Sequence, residues 1–176
     1  MKKNRIAPFI FLIVFSCMFG MSQATAVEKT LSSDLSNEEI ISKEDLRQLQ
    51  EKNAEFVLFD ARGKLLYNKG HIRGALLPLP LVYYQEKELM AAGVISKPFD
   101  FEASLAEAMK SYSPDTRIVT YCNSNCKLSV NLLRQLQKMG FKNVRSMEEG
   151  YQAWEKVGYP VILESSPVSN DSSQRA

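Results

Sequence analysis

Two cysteines four residues apart, Cys122 and Cys126, are the side chains of this sequence best suited to chemistry. Residues 118–121 before them are β-branched or aromatic and are typical of a buried strand. From Leu128 onward the apolar residues follow helical spacing, so Cys122 lies between a predicted strand and a predicted helix. Backbone N–H groups at the start of a helix attract anions and favour a thiolate over a thiol. The pattern therefore favours the thiolate, the nucleophilic form, at Cys122.

The loop between this strand and helix is predicted to bind the negative charge that such a nucleophile carries. It consists of Cys122, Asn123, Ser124, Asn125, Cys126 and Lys127. Lys127 contributes a positive charge. Cys126 is a candidate resolving thiol, because a loop that curls around an anion can bring two such residues within the ~4.4–6.8 Å that a disulfide requires between Cα atoms. The sequence leaves open whether the thiols meet or Cys126 points into the core.

We expect neither a metal nor a cofactor at this loop. His71 is the only histidine of the chain, and with two loop cysteines it does not complete a zinc ligand set. We interpret His71 as a turn residue that hydrogen-bonds to the backbone. A free cysteine also packs well in a core, but a strand end before a cationic loop favours a reactive thiol at Cys122.

Strands and helices are predicted to alternate along the chain. Ser42 is expected to cap a helix over residues 43–51, and residues 56–59 form a buried-strand pattern. Gly140 is placed to end the helix that begins at Leu128. This alternation predicts an α/β domain with a mostly parallel sheet of about five strands and helices on both faces.

Two further helices have weaker patterns. Leu89 and Met90 are expected to face inward from a helical segment, and Ser146 with Glu149 to form the capping box of the last helix.

Asp60 and Arg62 leave the carboxyl end of a predicted strand, as Cys122 leaves its own. The carboxyl ends of parallel strands meet at one edge of a sheet. We expect these two charged residues to support the loop rather than to react.

Residues 1–26 have the features of a secretory signal peptide. They combine a basic start, an apolar run and the small residues Ala24, Thr25 and Ala26 before Val27. The run is shorter than the ~20 residues that a spanning helix needs. An uncleaved membrane anchor is the first alternative to cleavage after Ala26, and a lipid anchor at the weak lipobox-like sequence around Cys17 is the second. We expect export, to a bacterial periplasm, with no membrane attachment after cleavage.

The rest of the chain has the length and composition of one domain, with 45% hydrophobic residues in the whole sequence. We expect a flexible lead over residues 27–38, a folded domain over residues 39–163 and a disordered tail over residues 164–176. Without the three basic residues of the signal peptide, 19 basic and 20 acidic residues remain, which is not the charge of a nucleic-acid-binding protein.

Five short segments occur in a fixed order along residues 40–162. They are Asp60-x-Arg62, Gly70-His71-Ile72-Arg73-Gly74-Ala75, Tyr121-Cys122 with its loop, Gly140-Phe141-x-Asn143-Val144, and Gly150-x-x-Ala153-Trp154 before Gly158-x-Pro160. With these segments, residues 40–162 resemble the single-domain rhodanese family in its exported sulfurtransferase form. The resemblance implies a five-stranded α/β domain in which the loop cysteine, Cys122, is the nucleophile and carries a persulfide sulfur from a donor such as thiosulfate to a thiophilic acceptor. It also implies that residues 123–127 bind the persulfide.

Three positions depart from the family pattern. The fourth loop position, often Gly, is Asn125, which tolerates left-handed backbone angles better than most residues. The sixth, often Arg, is Lys127, which keeps the charge but loses the fork that grips an oxyanion at two points. Leu66 stands where the family has an acidic partner for Arg62, so that ion pair is not carried over.

Three functions fit these residues. The first is a sulfurtransferase that uses a persulfide on Cys122, with thiosulfate or a persulfide as donor and a thiol or cyanide as acceptor. The second is a thiol redox protein that uses the Cys122 and Cys126 pair. The third is a catalytically silent rhodanese-like binding module. We expect a monomer, and the sequence names neither the physiological donor nor the acceptor.

Overall fold

The structure is a computed structural model and describes residues 35–163. The predicted signal peptide, with Cys17 and the cleavage site, lies outside the described residues, and so does the predicted tail. The predicted flexible lead overlaps the described part only at its end. There Leu35 is buried in the core, and a short 3-10 turn spans Asn37–Glu39.

Strands and helices alternate through the described chain. They are α1 (Lys43–Glu51), β1 (Val57–Asp60), α2 (Lys64–Lys69), β2 (His71–Ile72), β3 (Ala75–Leu76), α3 (Glu86–Ala91), α4 (Phe101–Met109), β4 (Arg117–Tyr121), α5 (Leu128–Lys138), β5 (Asn143–Met147), α6 (Gly150–Lys156) and β6 (Val161–Ile162). A second 3-10 turn, Leu81–Gln85, precedes α3. Among these residues no helix has the length and apolar character to cross a membrane.

Four strands form a parallel sheet in the order β3-β1-β4-β5. Ile40 adds a fifth position at the β5 edge through a single parallel bridge to Ser146. The short strands β2 and β6 pair with each other in an antiparallel ribbon. The predicted α/β domain with a mostly parallel sheet is confirmed. Because β4 lies between β1 and β5, the residue that follows it, Cys122, is flanked by two other strand ends.

Helices cover both faces of the sheet, as predicted. Successive strand residues point to opposite faces, so Ile118 joins the cluster that contains α4 and α5 residues. Val119 and Tyr121 join the cluster that contains α1 and α6 residues, including the fully buried Trp154. The strand that leads to Cys122 is therefore buried on both sides.

Two helix ends follow the predicted chemistry. The Ser42 side chain accepts a hydrogen bond from the Asp45 amide over 3.0 Å at the start of α1. Gly140, after α5, has a φ of 96°, and the Phe141 amide donates back to the Leu136 carbonyl over 3.1 Å. These are the features of a glycine-terminated helix.

Two other helix predictions are wrong. Ser146 is a buried residue inside β5 and does not cap α6, because the strand continues past it to Met147. Glu149 directs its carboxylate to Lys43 instead of closing a capping box. The expectation that Leu89 and Met90 face inward is wrong for Met90, which is exposed, whereas Leu89 is half-buried; the short helix α3 buries none of its residues fully.

Candidate functional site

Cys122 lies directly after the central strand, at the carboxyl edge of the sheet. Its side chain is buried, with 2% of its surface exposed. Two residues earlier, the Thr120 hydroxyl donates to the Ser129 carbonyl of α5 over 3.0 Å. This bond ties the end of β4 to the first turn of α5. The loop over residues 122–127 is therefore held at both ends.

The loop folds back on itself through a tight turn. The Cys126 amide donates to the Asn123 carbonyl over 3.2 Å, and Asn125 has a φ of 59°. A hydrogen-bonded four-residue turn with positive φ at its third residue, but not at its second, Ser124, has the signature of a type II turn. Such a turn favours Gly or Asn at that position. Asn125 therefore takes the place of the family's glycine.

The turn brings the two cysteines together, and a disulfide joins Cys122 to Cys126. Their Cα atoms are 6.0 Å apart. The structure thus contains the oxidised form of the pair. Cys122 must be reduced before it can act as a nucleophile, because only a thiolate attacks sulfur.

The start of α6 packs against the backbone of the loop. Gly150 has a φ of 76°, and a Cβ on it would lie 2.4 Å from the Ser124 nitrogen and 2.5 Å from the Asn123 carbonyl carbon. The Tyr151 amide donates to the Cys122 carbonyl over 2.8 Å. Glycine is the residue that permits both this approach and this backbone angle.

Ser124 makes two further bonds to the same segment. Its hydroxyl donates to the Glu149 carbonyl over 2.6 Å, and its amide donates to Gln152 Oε1 over 2.9 Å. The Glu149 carboxylate accepts from the backbone amide and the ammonium of Lys43, each over 2.6 Å. The Glu149 hydrogen bond is the largest of the effects that raise the pKa of Lys43. The loop is thus anchored to α6, and α6 to α1.

Asp60 and Arg62 form a buried ion pair beside β4. Asp60 is the register partner of Tyr121. One carboxylate oxygen accepts from the Arg62 amide and Nε, each over 2.9 Å. The other accepts from Arg62 Nη2 over 2.6 Å and from the Tyr121 hydroxyl over 2.7 Å. Both oxygens of this fully buried carboxylate are therefore satisfied.

Arg62 extends this network toward Cys122 through an aromatic ring. Its guanidinium carbon lies 3.9 Å from the centroid of the Tyr151 ring, a cation–π contact. Its Nη2 also donates to the Gly70 carbonyl over 2.6 Å. Gly70 thus gives Arg62 a second acceptor although Leu66 replaces the family's acidic residue.

Burial and charge fix the protonation of two groups in this network. Burial lowers the pKa of Arg62, whereas the hydrogen bond and charge of Asp60 raise it, and the net direction is upward. Burial, followed by the charge of Asp60, raises the pKa of Tyr121 far above its usual value. Arg62 and Tyr121 are therefore suited to supporting the strand end rather than to proton transfer.

The outer side of the loop faces solvent. Ser124, Asn125 and Lys127 are exposed, whereas Asn123 and Cys126 are half-buried. Among the described residues, the amides of Asn123 and Asn125 have no backbone acceptor. These N–H groups can bind an anion, and Lys127 adds a positive charge on the exposed side of the loop.

His71 lies in β2 rather than in a turn. Its Nδ1 donates to the Tyr67 carbonyl over 3.0 Å, which confirms the predicted bond to the backbone, and its ring stacks on that of Tyr67 with centroids 3.8 Å apart. Across residues 35–163, no group of three or more His, Cys, Asp or Glu side chains is arranged to hold a metal ion.

The predicted site residues are thus brought together at one edge of the sheet. The sequence did not predict the contacts of Gly150, Tyr151 and Gln152 of α6 with the loop, nor the bond from the Tyr121 hydroxyl to Asp60. One signal was present. Glycine is a poor helix former, so a glycine at the first position of a helix indicates that another backbone segment approaches closely there.

Comparison with known proteins places these features in a family. The family model described as the rhodanese-like domain matches residues 42–157, which are 116 of the 176 residues. A search of curated protein sequences found no significant match.

Several solved structures share the fold. The rhodanese-like domain of the Alr3790 protein from Anabaena sp. is 22% identical with a TM-score of 0.53, covering 79% of this chain and 91% of that domain. The BH2092 protein from Bacillus halodurans is 19% identical with a TM-score of 0.54, covering 72% of this chain and 78% of that protein. YnjE is 21% identical with a TM-score of 0.53, covering 74% of this chain and 32% of that one. At these identities the likeness establishes the fold alone.

Proposed function

Because the chain belongs to the rhodanese-like domain family, we propose that it is a sulfurtransferase that carries a sulfane sulfur as a persulfide on Cys122. The donor is thiosulfate or another persulfide, and the acceptor is a thiol or cyanide. The sulfur atoms themselves form and break the bonds, so this chemistry calls for neither a metal nor an organic cofactor.

The observation that carries the proposal is the placement of Cys122 between the central strand and the amino end of α5. That helix has eleven residues, and its amino end attracts negative charge. A thiolate and a persulfide both bear such a charge. The same position therefore favours the nucleophile and the loaded form.

In the first half-reaction, the reduced Cys122 thiolate attacks the outer sulfur of thiosulfate. A bond forms between Cys122 Sγ and that sulfur, the sulfur–sulfur bond of thiosulfate breaks, and sulfite leaves with the electron pair. Lys127 lies in the loop as an exposed cation that attracts the doubly charged donor. The amides of Asn123 and Asn125, which have no backbone acceptor among the described residues, are the N–H groups proposed to bind the charge of the persulfide.

In the second half-reaction, an external thiolate or cyanide attacks the outer sulfur of the persulfide. The new bond joins the acceptor to this sulfur, and Cys122 leaves as a thiolate ready for the next cycle. Catalysis needs a loop that keeps its shape in both half-reactions. The bonds to α6 and the Asp60–Arg62 pair at the strand end provide that support.

We also propose that the protein is exported and works in the periplasm. The basis is the signal-peptide pattern of residues 1–26. N-terminal sequencing of exported protein is expected to start at Val27. Recovery of an acylated Cys17 would refute this cleavage.

A mass measurement tests the sulfurtransferase. Protein is reduced, freed of reductant and incubated with thiosulfate, and thiocyanate formation is assayed separately with cyanide as acceptor. The Cys126→Ser variant is run beside the wild type, because it presents Cys122 without a neighbouring thiol. We expect it to gain the mass of one sulfur atom at Cys122, and Cys122→Ser to gain none while keeping its circular dichroism spectrum.

Two outcomes would contradict the proposal. If Cys122→Ser retained full thiosulfate:cyanide activity, the nucleophile would lie elsewhere. If no variant gained sulfur from thiosulfate or from a small persulfide donor, the chain would be a catalytically silent member of the family.

A further inference from the structure

The two loop cysteines differ in exposure, although one disulfide joins them. Cys122 is buried with 2% of its surface exposed, whereas Cys126 is half-buried at the outer side of the loop. The Cys122 end is held by the Tyr151 amide and by β4. The Cys126 end is placed by the turn that Asn125 closes. The loop thus holds a second sulfur within bonding reach of the nucleophile.

A persulfide on Cys122 and this disulfide exclude each other. In the disulfide, Cys126 Sγ is bonded to Cys122 Sγ. In the persulfide, the transferred sulfur would instead be bonded to Cys122 Sγ. Going from one to the other is a single thiol–disulfide exchange at Cys122 Sγ.

We propose that Cys126 is a second catalytic thiol, which discharges the Cys122 persulfide as sulfide, and that this makes the protein a thiosulfate reductase driven by a dithiol. This proposal rests on the proposed persulfide chemistry and adds an internal acceptor to it. The Cys126 thiol gives up its proton and attacks Cys122 Sγ as a thiolate. The bond from Cys122 to the outer sulfur breaks, and that sulfur leaves with the electron pair and takes up the proton to form HS⁻. The sulfane sulfur is reduced to sulfide while the two cysteine sulfurs are oxidised to the disulfide.

The internal attack has an advantage over any external thiol. Because loop geometry already permits the Cys122–Cys126 bond, the attack is intramolecular and does not require a second molecule to enter the site. Free thiols in solution must instead reach a sulfur bound to a cysteine that is almost fully buried. Cys126 therefore offers the persulfide an internal route of discharge beside transfer to an external acceptor.

A dithiol reductant completes the cycle. Its first thiolate attacks Cys126 Sγ, because this sulfur belongs to the more exposed cysteine, and Cys122 leaves as a thiolate. Its second thiol then releases Cys126 from the mixed disulfide. The sum is one thiosulfate and one dithiol converted to sulfite, sulfide and the reductant's disulfide. The partner class is a small dithiol protein or low-molecular-weight dithiol.

A single-turnover experiment tests the discharge. Wild type, Cys126→Ser, Cys126→Ala and Cys122→Ser are reduced, freed of reductant and mixed with thiosulfate, and released sulfide and protein mass are followed together. We expect wild type to release sulfide and to end two hydrogens lighter than its reduced form. Both Cys126 variants should keep the added sulfur, with sulfide release slower by at least about tenfold. Cys122→Ser should do neither.

The single-turnover experiment distinguishes failure of the Cys126 proposal from failure of the proposed sulfurtransferase activity. If wild type and Cys126→Ser hold the persulfide equally long, and peptide mapping finds no Cys122–Cys126 disulfide after the turnover, Cys126 has no discharging role while sulfur loading stands. If no protein gains sulfur, both proposals fall.

The point of reductant attack has its own measurement. Oxidised wild type is mixed with dithiothreitol, quenched with acid within the first turnover, alkylated and mapped. We expect the mixed disulfide on Cys126 and the alkyl group on Cys122. The reverse labelling would overturn the assigned order of attack.

Discussion

Gly150 lies so close to the loop that a Cβ on it would stand 2.4 Å from the backbone nitrogen of Ser124. The next residue, Tyr151, donates its amide to the Cys122 carbonyl. The shape of the loop is therefore set by α6 as much as by its own residues, because two backbone segments distant in sequence are in direct contact.

Gly150→Ala should distort the loop and abolish sulfur loading. The added methyl meets backbone atoms that cannot rotate away, and alanine is strained at a φ of 76°. We expect a loss of about 3 kcal/mol in the free energy of unfolding, measured by urea denaturation. Gly158→Ala is the matched control, since Gly158 has a φ of 75° but a Cβ on it would have no atom within 4 Å. Gly158→Ala should lose about 1 kcal/mol in the free energy of unfolding and still load sulfur on Cys122. Equal effects of the two changes would show that contact with the loop is unimportant.

Asp60→Asn should be strongly destabilising. It leaves the almost fully buried Arg62 guanidinium without its counter-charge, and it weakens the bond from Tyr121. Breaking a buried pair from one side costs about 3–5 kcal/mol. Asp115→Asn is the control, because Asp115 and Lys142 form an exposed pair, and its effect should stay below about 0.5 kcal/mol. Similar urea midpoints for the two variants would contradict a supporting role for Asp60.

Asn125→Val should weaken the Cys122–Cys126 disulfide. A β-branched residue is strained at a φ of 59°, so the turn that brings the thiols together becomes less favourable. In a glutathione redox buffer we expect the equilibrium constant for the disulfide to fall roughly tenfold, whereas Asn125→Gly should leave it close to that of wild type. Asn53→Val is the control, since Asn53 has a φ of 49° but follows α1 away from the loop. An equal change in the disulfide for Asn53→Val would show that the effect is not local.

Lys127→Gln should impair the use of thiosulfate. Removing the cation of the loop weakens attraction of a doubly charged donor, and we expect KM for thiosulfate to rise about threefold to tenfold, an effect that salt reduces. Lys127→Arg should hold or improve thiosulfate use, because a planar fork with several donors replaces a point charge. Lys110→Gln, at the exposed end of α4, serves as the control. A clear fall in thiosulfate turnover for Lys127→Arg would count against this role.

Glu39→Gln should destabilise the domain above about pH 5 and less so in acid. A hydrogen bond from Arg134, with one from Gln137, lowers the pKa of Glu39 to about 2. Since the folded pKa is below the unfolded one, the stabilisation is present above the unfolded pKa and is lost as the pH falls toward the folded one. We expect a difference of about 1 kcal/mol in the free energy of unfolding near neutral pH, reduced for solvent screening, that shrinks between about pH 5 and about pH 2. If the difference in the free energy of unfolding between wild type and Glu39→Gln, measured by urea denaturation, did not change with pH, this prediction would be contradicted.

Part of this site follows from local sequence alone. The apolar run that ends at Cys122, the helical period from Leu128 and the cap at Ser42 each depend on neighbouring residues, and the structure has all three elements. Periodicity and capping act over a few residues, so a pattern of strands and helices is readable before any packing is known. The same patterns placed Asp60 and Cys122 at the carboxyl ends of two strands.

Tertiary structure decided the contacts that hold the site. The Tyr121 hydroxyl meets Asp60 across 61 residues, and Glu149 meets Lys43 across 106, which is why the capping box expected from Ser146 and Glu149 does not form. The sequence predicted that Cys122 and Cys126 share a loop, but their bond depends on a turn closed at Asn125. Such contacts are set by how β1, β4, α1 and α6 pack, and no local pattern encodes that packing.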